Sequence, residues 1–426
     1  MVYNVGSTNE EAVMAFRKKR IKQRGRNAVP EQYRRKGKSK KGLFIAGGAL
    51  LLCVIAACIL VPKLLSQQSA VPTEPTTPPP DKVIHFVAGG DVNITDKTVA
   101  SGAANAGYDY TEAFKDVLPV LSGGDVATLN FEGVVGTGSY GSATKMAPQA
   151  MLEALSAAGV DALQTANSYS IYDGLRGLRN TVQGVQNAGM TPLGTYATNA
   201  EFDSAGGYVI WEVGGIKVAL MAFTKGMDGM GLPAGSERCV NLLYEDYSST
   251  YQKVNRAGIT KVVRNAAAHQ PDVMVALVHW GSEFNDQISK SQKKICEIFW
   301  EEGVDAIIGT HPHYVQKMEF DREKGTFLAY SLGDFFGDGE AAGTNYGVIL
   351  DLEITKDGAT GETKVTGFEY TPTFLETDEN GKVRVLRIRE AMAGYENRYL
   401  DCVSEETYLE MKTALERIES RIGAAK

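Results

Sequence analysis

The sequence predicts an α/β domain set behind a single membrane-spanning segment. Three observations carry this. From residue 82 onward, short apolar runs alternate with stretches of helical spacing, the pattern of strands joined through helices. Gly214-Gly215 separates two apolar runs as a two-residue hairpin turn, so the sheets are mixed rather than purely parallel. Residues 42–61 (GLFIAGGALLLCVIAACILV) contain no charged side chain.

Residues 1–41 come first, as a basic segment. Between Arg17 and Lys41 stand thirteen Lys or Arg and one acid, Glu31. The uncharged run that follows, helical at about 1.5 Å per residue, reaches roughly 30 Å, the thickness of a bilayer's hydrocarbon core. A buried core helix would show a polar face, and a cleaved signal would place its apolar run nearer the start. Residues 42–61 therefore read as a membrane anchor. Its basic flank holds the N-terminus on the cytoplasmic side against anionic headgroups, and the main domain faces outward. The linker, 62–82, contains SQQSAVPTEPTTPPPD (66–81), a semi-rigid spacer by its Pro and Thr content.

The chain's mild net charge of −7 averages two unlike parts. Residues 64–426 hold 30 Lys and Arg against 48 Asp and Glu, a net of −18. Such a domain repels nucleic acid and leaves metal ions or a local basic pocket to answer any anionic substrate. Composition is otherwise that of a globular protein, at 43% hydrophobic and 22% charged, which excludes a disordered, collagenous or polytopic chain. Five cysteines are too few for a disulfide scaffold. Cys53 and Cys58 lie in the proposed span, and Cys239, Cys296 and Cys402 outside it read as buried thiols.

In the outer domain, strands are expected at 83–88, 125–131, 162–165, 207–213, 216–223, 273–279, 304–308, 326–332, 346–354 and 363–370. Helices are expected at 111–121, 148–158, 174–188, 255–269, 289–302 and 405–422, with Gly189 as a C-cap. The main domain is placed at 83–355, with 356–426 adding strands and a helix packed against it. No internal repeat is visible.

Unusual polar residues collect where these strands end. Asp91 and Asn93 follow the first, Asn130 and Glu132 the second, and Asn167, Ser168 and Asp173 the third. His279 and Glu283 follow 273–279, His311, His313 and Glu319 follow 304–308, and Asp334 follows 326–332. In open α/β sheets, ligands bind beyond the carboxyl ends of strands. His311-Pro312-His313 places two imidazoles two residues apart, on one side if the segment is extended. Histidines mixed with carboxylates suit a borderline divalent transition metal such as Mn, Zn or Fe.

Six motifs occur in order: GGDVNI (89–94), LNFEG (129–133), ANSYSIYDG (166–174), VHWGSEF (278–284), GTHPHYVQKME (309–319) and YSLGDF (330–335). From about residue 83 to 353 the chain thus resembles the CapA family, named for capsule and poly-γ-glutamate synthesis, within the calcineurin-like metallophosphoesterase superfamily. The resemblance implies a four-layer α-β-β-α sandwich with its site at the strand ends, facing outward from an N-terminal anchor. It implies metal ligands at Asp91, Glu132, His279, His311 and His313, with Asp91 and His279 serving catalysis. Asn167, Asp173, Glu283 and Glu319 fall on substrate-binding or supporting positions. Where the family usually shows Asn-Asn-His this chain has Asn167-Ser168-Tyr169, leaving Tyr169 as the candidate acid, and Asp334 replaces a usual Asn. The implied activity is that of a metal-dependent hydrolase working on an anionic envelope polymer beside other membrane synthesis components. The altered motif leaves open a non-catalytic component that binds polymer or partners.

Overall fold

A computed structural model describes residues 78–399 and 403–422. The basic segment 1–41, the expected span 42–61, linker residues 62–77, and Cys53, Cys58 and Cys402 lie outside the described residues. Among those described, no helix is long and apolar enough to cross a membrane.

Two mixed sheets build the domain. The first comprises β1 (Lys82–Asn93), β2 (Val126–Glu132), β5 (Ala162–Gln164), β6 (Thr191–Leu193), β13 (Asp334–Phe336), β14 (Tyr346–Lys356), β15 (Thr363–Thr377) and β16 (Val383–Arg387). Its order is β16-β15-β14-β1-β2-β5-β6, with β13 also paired to β1. The second comprises β7 (Val209–Val213), β8 (Ile216–Thr224), β9 (Val273–His279), β10 (Ala306–Thr310), β11 (Met318–Asp321) and β12 (Thr326–Ala329), in the order β11-β12-β10-β9-β8-β7. A small ribbon joins β3 (Val134–Val135) to β4 (Met146–Ala147).

Alternation along the strands explains the layering. Ile84, Phe86 and Ala88 of β1 meet Val218, Leu220 and Ala222 of β8 in one apolar cluster between the sheets. The next residues along, Val87 and Ala127, face outward into a second cluster. That face is covered by α1 (Asp96–Ser101), α2 (Thr111–Phe114), α3 (Leu118–Gly123), α4 (Gln149–Ala158) and α5 (Gly174–Asn187). The outer face of the second sheet is covered by α6 (Asn199–Ala205), α7 (Arg256–Ala267) and α8 (Lys290–Glu301). The last elements, α9 (Ile388–Glu396) and α10 (Glu405–Ile422), send Ile388, Met411, Ala414 and Ile418 into the inter-sheet cluster.

Several expectations hold and others shift for identifiable reasons. Gly214 and Gly215 both have positive φ, 57° and 78°, as a two-residue hairpin turn requires, and Val213 pairs with Ile216. Gly189, at φ 80°, follows α5 as expected. The single helix expected at 111–121 is two, α2 and α3, because Pro119 cannot donate a backbone hydrogen bond into a continuous helix. The strand expected to stop at residue 88 runs on to Asn93 through Gly89-Gly90. A Cβ on Gly90 would lie 1.7 Å from the Gly333 carbonyl oxygen, so only glycine lets β13 approach here. Cys239 and Cys296 are buried free thiols.

Candidate metal centre where the two sheets meet

Strand register assembles the site. In the first sheet Asp91 stands beside Asn130 on one side and Asp334 on the other, and Asn93 stands beside Glu132. In the second, Thr224, His279 and Thr310 form one row across β8, β9 and β10. Lys225 and His311 follow that row directly. All these strands are parallel, so their carboxyl ends deliver these residues to one rim.

Six side chains gather into two adjoining triads, Glu132–His279–His311 and Asp91–His313–Asp334, each with its ligand atoms within 4.8 Å of one another. All six are buried. Asn130 joins the two sets. Its amide donates to Asp91 Oδ1 at 2.6 Å and Glu132 Oε1 at 3.2 Å, and lies 3.2 Å from His279 Nδ1.

The histidine pair departs from the sequence expectation. His311 and His313 do not share one side of an extended segment. Both have positive φ, 93° and 60°, so the backbone turns between them and sends one imidazole to each triad, with ring centres 6.2 Å apart. A histidine at φ 93° is strained, and such strain persists where surrounding structure enforces it, often at functional sites. The His311 N–H donates to Asp91 Oδ2 at 3.0 Å, which ties this turn to the first sheet.

Electrostatics separate the triads. Burial holds His279 and His311 well below the usual imidazole range, with Lys225 also acting on both, so they are neutral. Burial opposes charge on His313 as well, yet Asp334 at 2.7 Å, with Glu132 and Asp91, outweighs it and holds that imidazolium well above the usual range. Burial pushes Asp91 up to about 6, opposed by His313 and reinforced by Asp334. Glu132 is raised by burial and then by Asp91.

The donor set fits a divalent transition metal, with two imidazoles and a carboxylate in one triad and one imidazole and two carboxylates in the other. His311 Nδ1 adds to the fit, because it is buried with no hydrogen-bond partner, a costly state unless an ion or a substrate binds there.

The altered motif lies in the same place. Ser168 meets His279 Nε2 with its backbone N–H at 3.2 Å and its hydroxyl at 3.1 Å. Asn167 is fully buried, its amide donating to the Phe131 carbonyl at 2.5 Å. Tyr169 lines a cavity of about 160 Å³ with Glu132, Glu283, Phe284, His313 and Lys145. Burial, then Glu132 and Glu283, keep the Tyr169 phenol protonated. The Lys145 ammonium lies 4.7 Å from its ring centre. Phe284, half exposed, stacks on His313 at 5.3 Å.

Two expected site residues lie elsewhere. Asp173 stands at the N-terminal end of α5 without a side-chain capping bond and forms a two-bond ion pair with the exposed Arg176 at 2.8 Å. Glu319 lies on β11, pairs with Lys317 at 2.9 Å, and lines a separate depression with Trp300 and Asp305. Two residues were not anticipated in this role. Asp334 carries charge where the resemblance led to an Asn, and Lys225, in the plain run FTKG, gave no signal beyond its place at a strand end.

The comparisons with known proteins agree with the motif reading. Residues 85–338 match the family model for the bacterial capsule synthesis protein PGA_cap. The capsule biosynthesis protein CapA of Bacillus anthracis is 27% identical over 259 residues, 59% of this chain and 59% of that protein's length. The PGA biosynthesis protein CapA of Bacillus subtilis is 22% identical over 321 residues, 72% of this chain and 78% of that one. Among solved structures, a phosphatase from Mycoplasma pneumoniae is 14% identical over 68% of this chain and 93% of its own, with a TM-score of 0.39. The family match covers more than half of the sequence and includes every residue of both triads. This chain belongs to the bacterial capsule synthesis protein family PGA_cap.

Proposed function

We propose that this chain is a membrane-anchored, outward-facing protein of capsule or poly-γ-glutamate synthesis or handling, built on an α-β-β-α sandwich of the metallophosphoesterase type. Its strand-end site is a metal-dependent hydrolase acting on an anionic envelope polymer, at a phosphoester or amide bond. The supporting observation is the pair of buried triads joined by Asn130. The uncharged run 42–61 behind thirteen basic residues supports the anchor.

Asp91, His313 and Asp334, with or without Glu132, His279 and His311, hold the ion. A bound divalent ion would bring the pKa of a water towards neutrality and neutralise charge developing on a substrate oxygen. Among the chain's own groups, the protonated Tyr169 phenol at the cavity is the donor for a leaving group. Lys145 and Glu283 face the same cavity and act on substrate charge.

A second reading, a binding component without turnover, is favoured by Ser168, whose N–H and hydroxyl both engage His279 Nε2 where the family usually supplies Asn. One preparation separates the two. The full chain, purified in detergent, is analysed for bound metal and assayed on phosphodiester and γ-glutamyl amide substrates beside the His311→Ala/His313→Ala double variant. Metal with variant-sensitive turnover supports the hydrolase, and metal without turnover supports the binding component. Finding neither metal nor turnover rejects the metal site itself.

A further inference from the structure

Phe284, His311 and His313 all have positive φ, 52°, 93° and 60°, and such backbone persists only where neighbouring structure enforces it. Asp91 holds the His311 end of the turn. The other end is tied to the loop at 281–287. The Phe284 N–H donates to the Pro312 carbonyl at 3.0 Å, and the Gln316 side-chain amide donates to the Asn285 carbonyl at 2.8 Å. Phe284 is thereby held in its stack on His313. One further tie comes from outside both loops, from the last turn of α10.

Arg421 supplies it. Its guanidinium donates to the Val315 carbonyl at 2.9 Å, lies 3.6 Å from the Asp286 carboxylate and stands 5.7 Å from the centre of the Tyr314 ring. These contacts join the residues directly after His313 to the loop that carries Phe284. A guanidinium suits the task, because its fork of N–H groups can meet two acceptors while the cation faces an aromatic ring. The Tyr314 hydroxyl in turn donates to the Ala342 carbonyl at 2.8 Å, between Ala341 and Thr344 of the cavity rim. α10 does not need Arg421 for its own seat. Met411, Ala414 and Ile418 bury it in the inter-sheet cluster, and its Glu419 pairs with Arg389 of α9 at 2.6 Å.

We propose that Arg421 is a positioning residue of the metal centre, fixing the His313 turn and the Phe284 wall from a helix that lies beyond the matched region 85–338. The inference rests on the metal-site reading above. It gives the C-terminal helix a part in the site through the backbone on which His313 stands, without contact to the ion or the substrate. Without the guanidinium, fewer ties hold the turn at φ 60°, and the imidazole is presented less often at the place it shares with Asp91 and Asp334.

The test sets metal affinity against stability. Full-length wild type, Arg421→Gln, Arg421→Lys and Arg389→Gln are purified in detergent and titrated with Mn(II), read by the free ion's electron paramagnetic resonance signal, and each is unfolded in denaturant. Arg421→Gln should weaken Mn(II) binding by about 10-fold, the scale of a lost support behind a metal ligand, and Arg421→Lys should recover part of that loss. Arg389→Gln removes the α9–α10 ion pair and should keep wild-type affinity, whatever its effect on the unfolding midpoint. Wild-type affinity in Arg421→Gln overturns the proposal. An equal loss in Arg389→Gln also overturns it, because general loosening of the helix would then account for both. A wild type that binds no Mn(II) rejects the metal-site reading, and the proposal with it.

Discussion

The two triads use the same residue types yet stand in opposite electrostatic settings. Glu132–His279–His311 has neutral imidazoles and a lysine ammonium beside it. Asp91–His313–Asp334 has an imidazolium between carboxylates. Residue identity alone makes them look like two equivalent metal sites. Their neighbours differ: Lys225 Nζ lies 3.1 Å from His311 in the first, and Asp334 lies 2.7 Å from His313 in the second.

The largest expected effect tests whether the two halves are mechanically separate. Trp280 is fully buried behind His279, donates to the Tyr330 carbonyl at 2.9 Å and stacks on that ring. Trp280→Ala should cost about 3–5 kcal/mol of stability in chemical denaturation, while folded protein still binds metal at the Asp91 triad. Loss of that metal would mean the triads form one mechanical unit. Next, His313→Ala should weaken metal binding by about 100-fold or more, measured by titration, and an unchanged affinity would remove His313 from the site.

Acidity sharpens the same contrast. His313 is held protonated above its ordinary value of 6.5, so metal must displace that proton. Binding should strengthen by up to about tenfold per pH unit through the neutral range, with proton release visible by calorimetry in buffers of different ionisation enthalpy. A pH-independent affinity would contradict it. In the metal-free chain this raised pKa stabilises the fold below 6.5, and that contribution should fade as pH rises through the folded value.

Smaller effects complete the series. Ser168→Ala removes the hydroxyl contact to His279 Nε2 and leaves the backbone one, so a loss of about 1 kcal/mol is expected in thermal unfolding. Asp173→Ala breaks an exposed ion pair and should cost less than about 1 kcal/mol, with metal binding unchanged. A change in metal affinity there would return Asp173 to the site.

What the sequence made legible follows from how each feature is encoded. The apolar runs at 273–279 and 304–308, the hairpin at Gly214-Gly215 and the strand-end carboxylates and histidines are local patterns, and they appear close to where expected. The sorting of His311 and His313 into different triads depends on two positive-φ residues, which no period or propensity announces for histidine. Asp334 enters through a three-residue strand, too short to carry a pattern. Lys225 owes its role to register between strands far apart in sequence. Glu319 misled because position after a strand does not say which edge the chain turns to next; here it begins β11 at the sheet's rim.

The glycine-permitted pairing of β1 with β13 also sets a timetable. Asp91 lies near the start of the domain, His311 lies 220 positions later, and Asp334 is later still. Joining them closes a very long loop, the slow kind of contact in folding. A chain emerging N-terminus first would complete Glu132 and His279 well before it could complete the Asp91–His313–Asp334 triad. A truncated or stalled product ending before residue 334 would thus lack the completed triad.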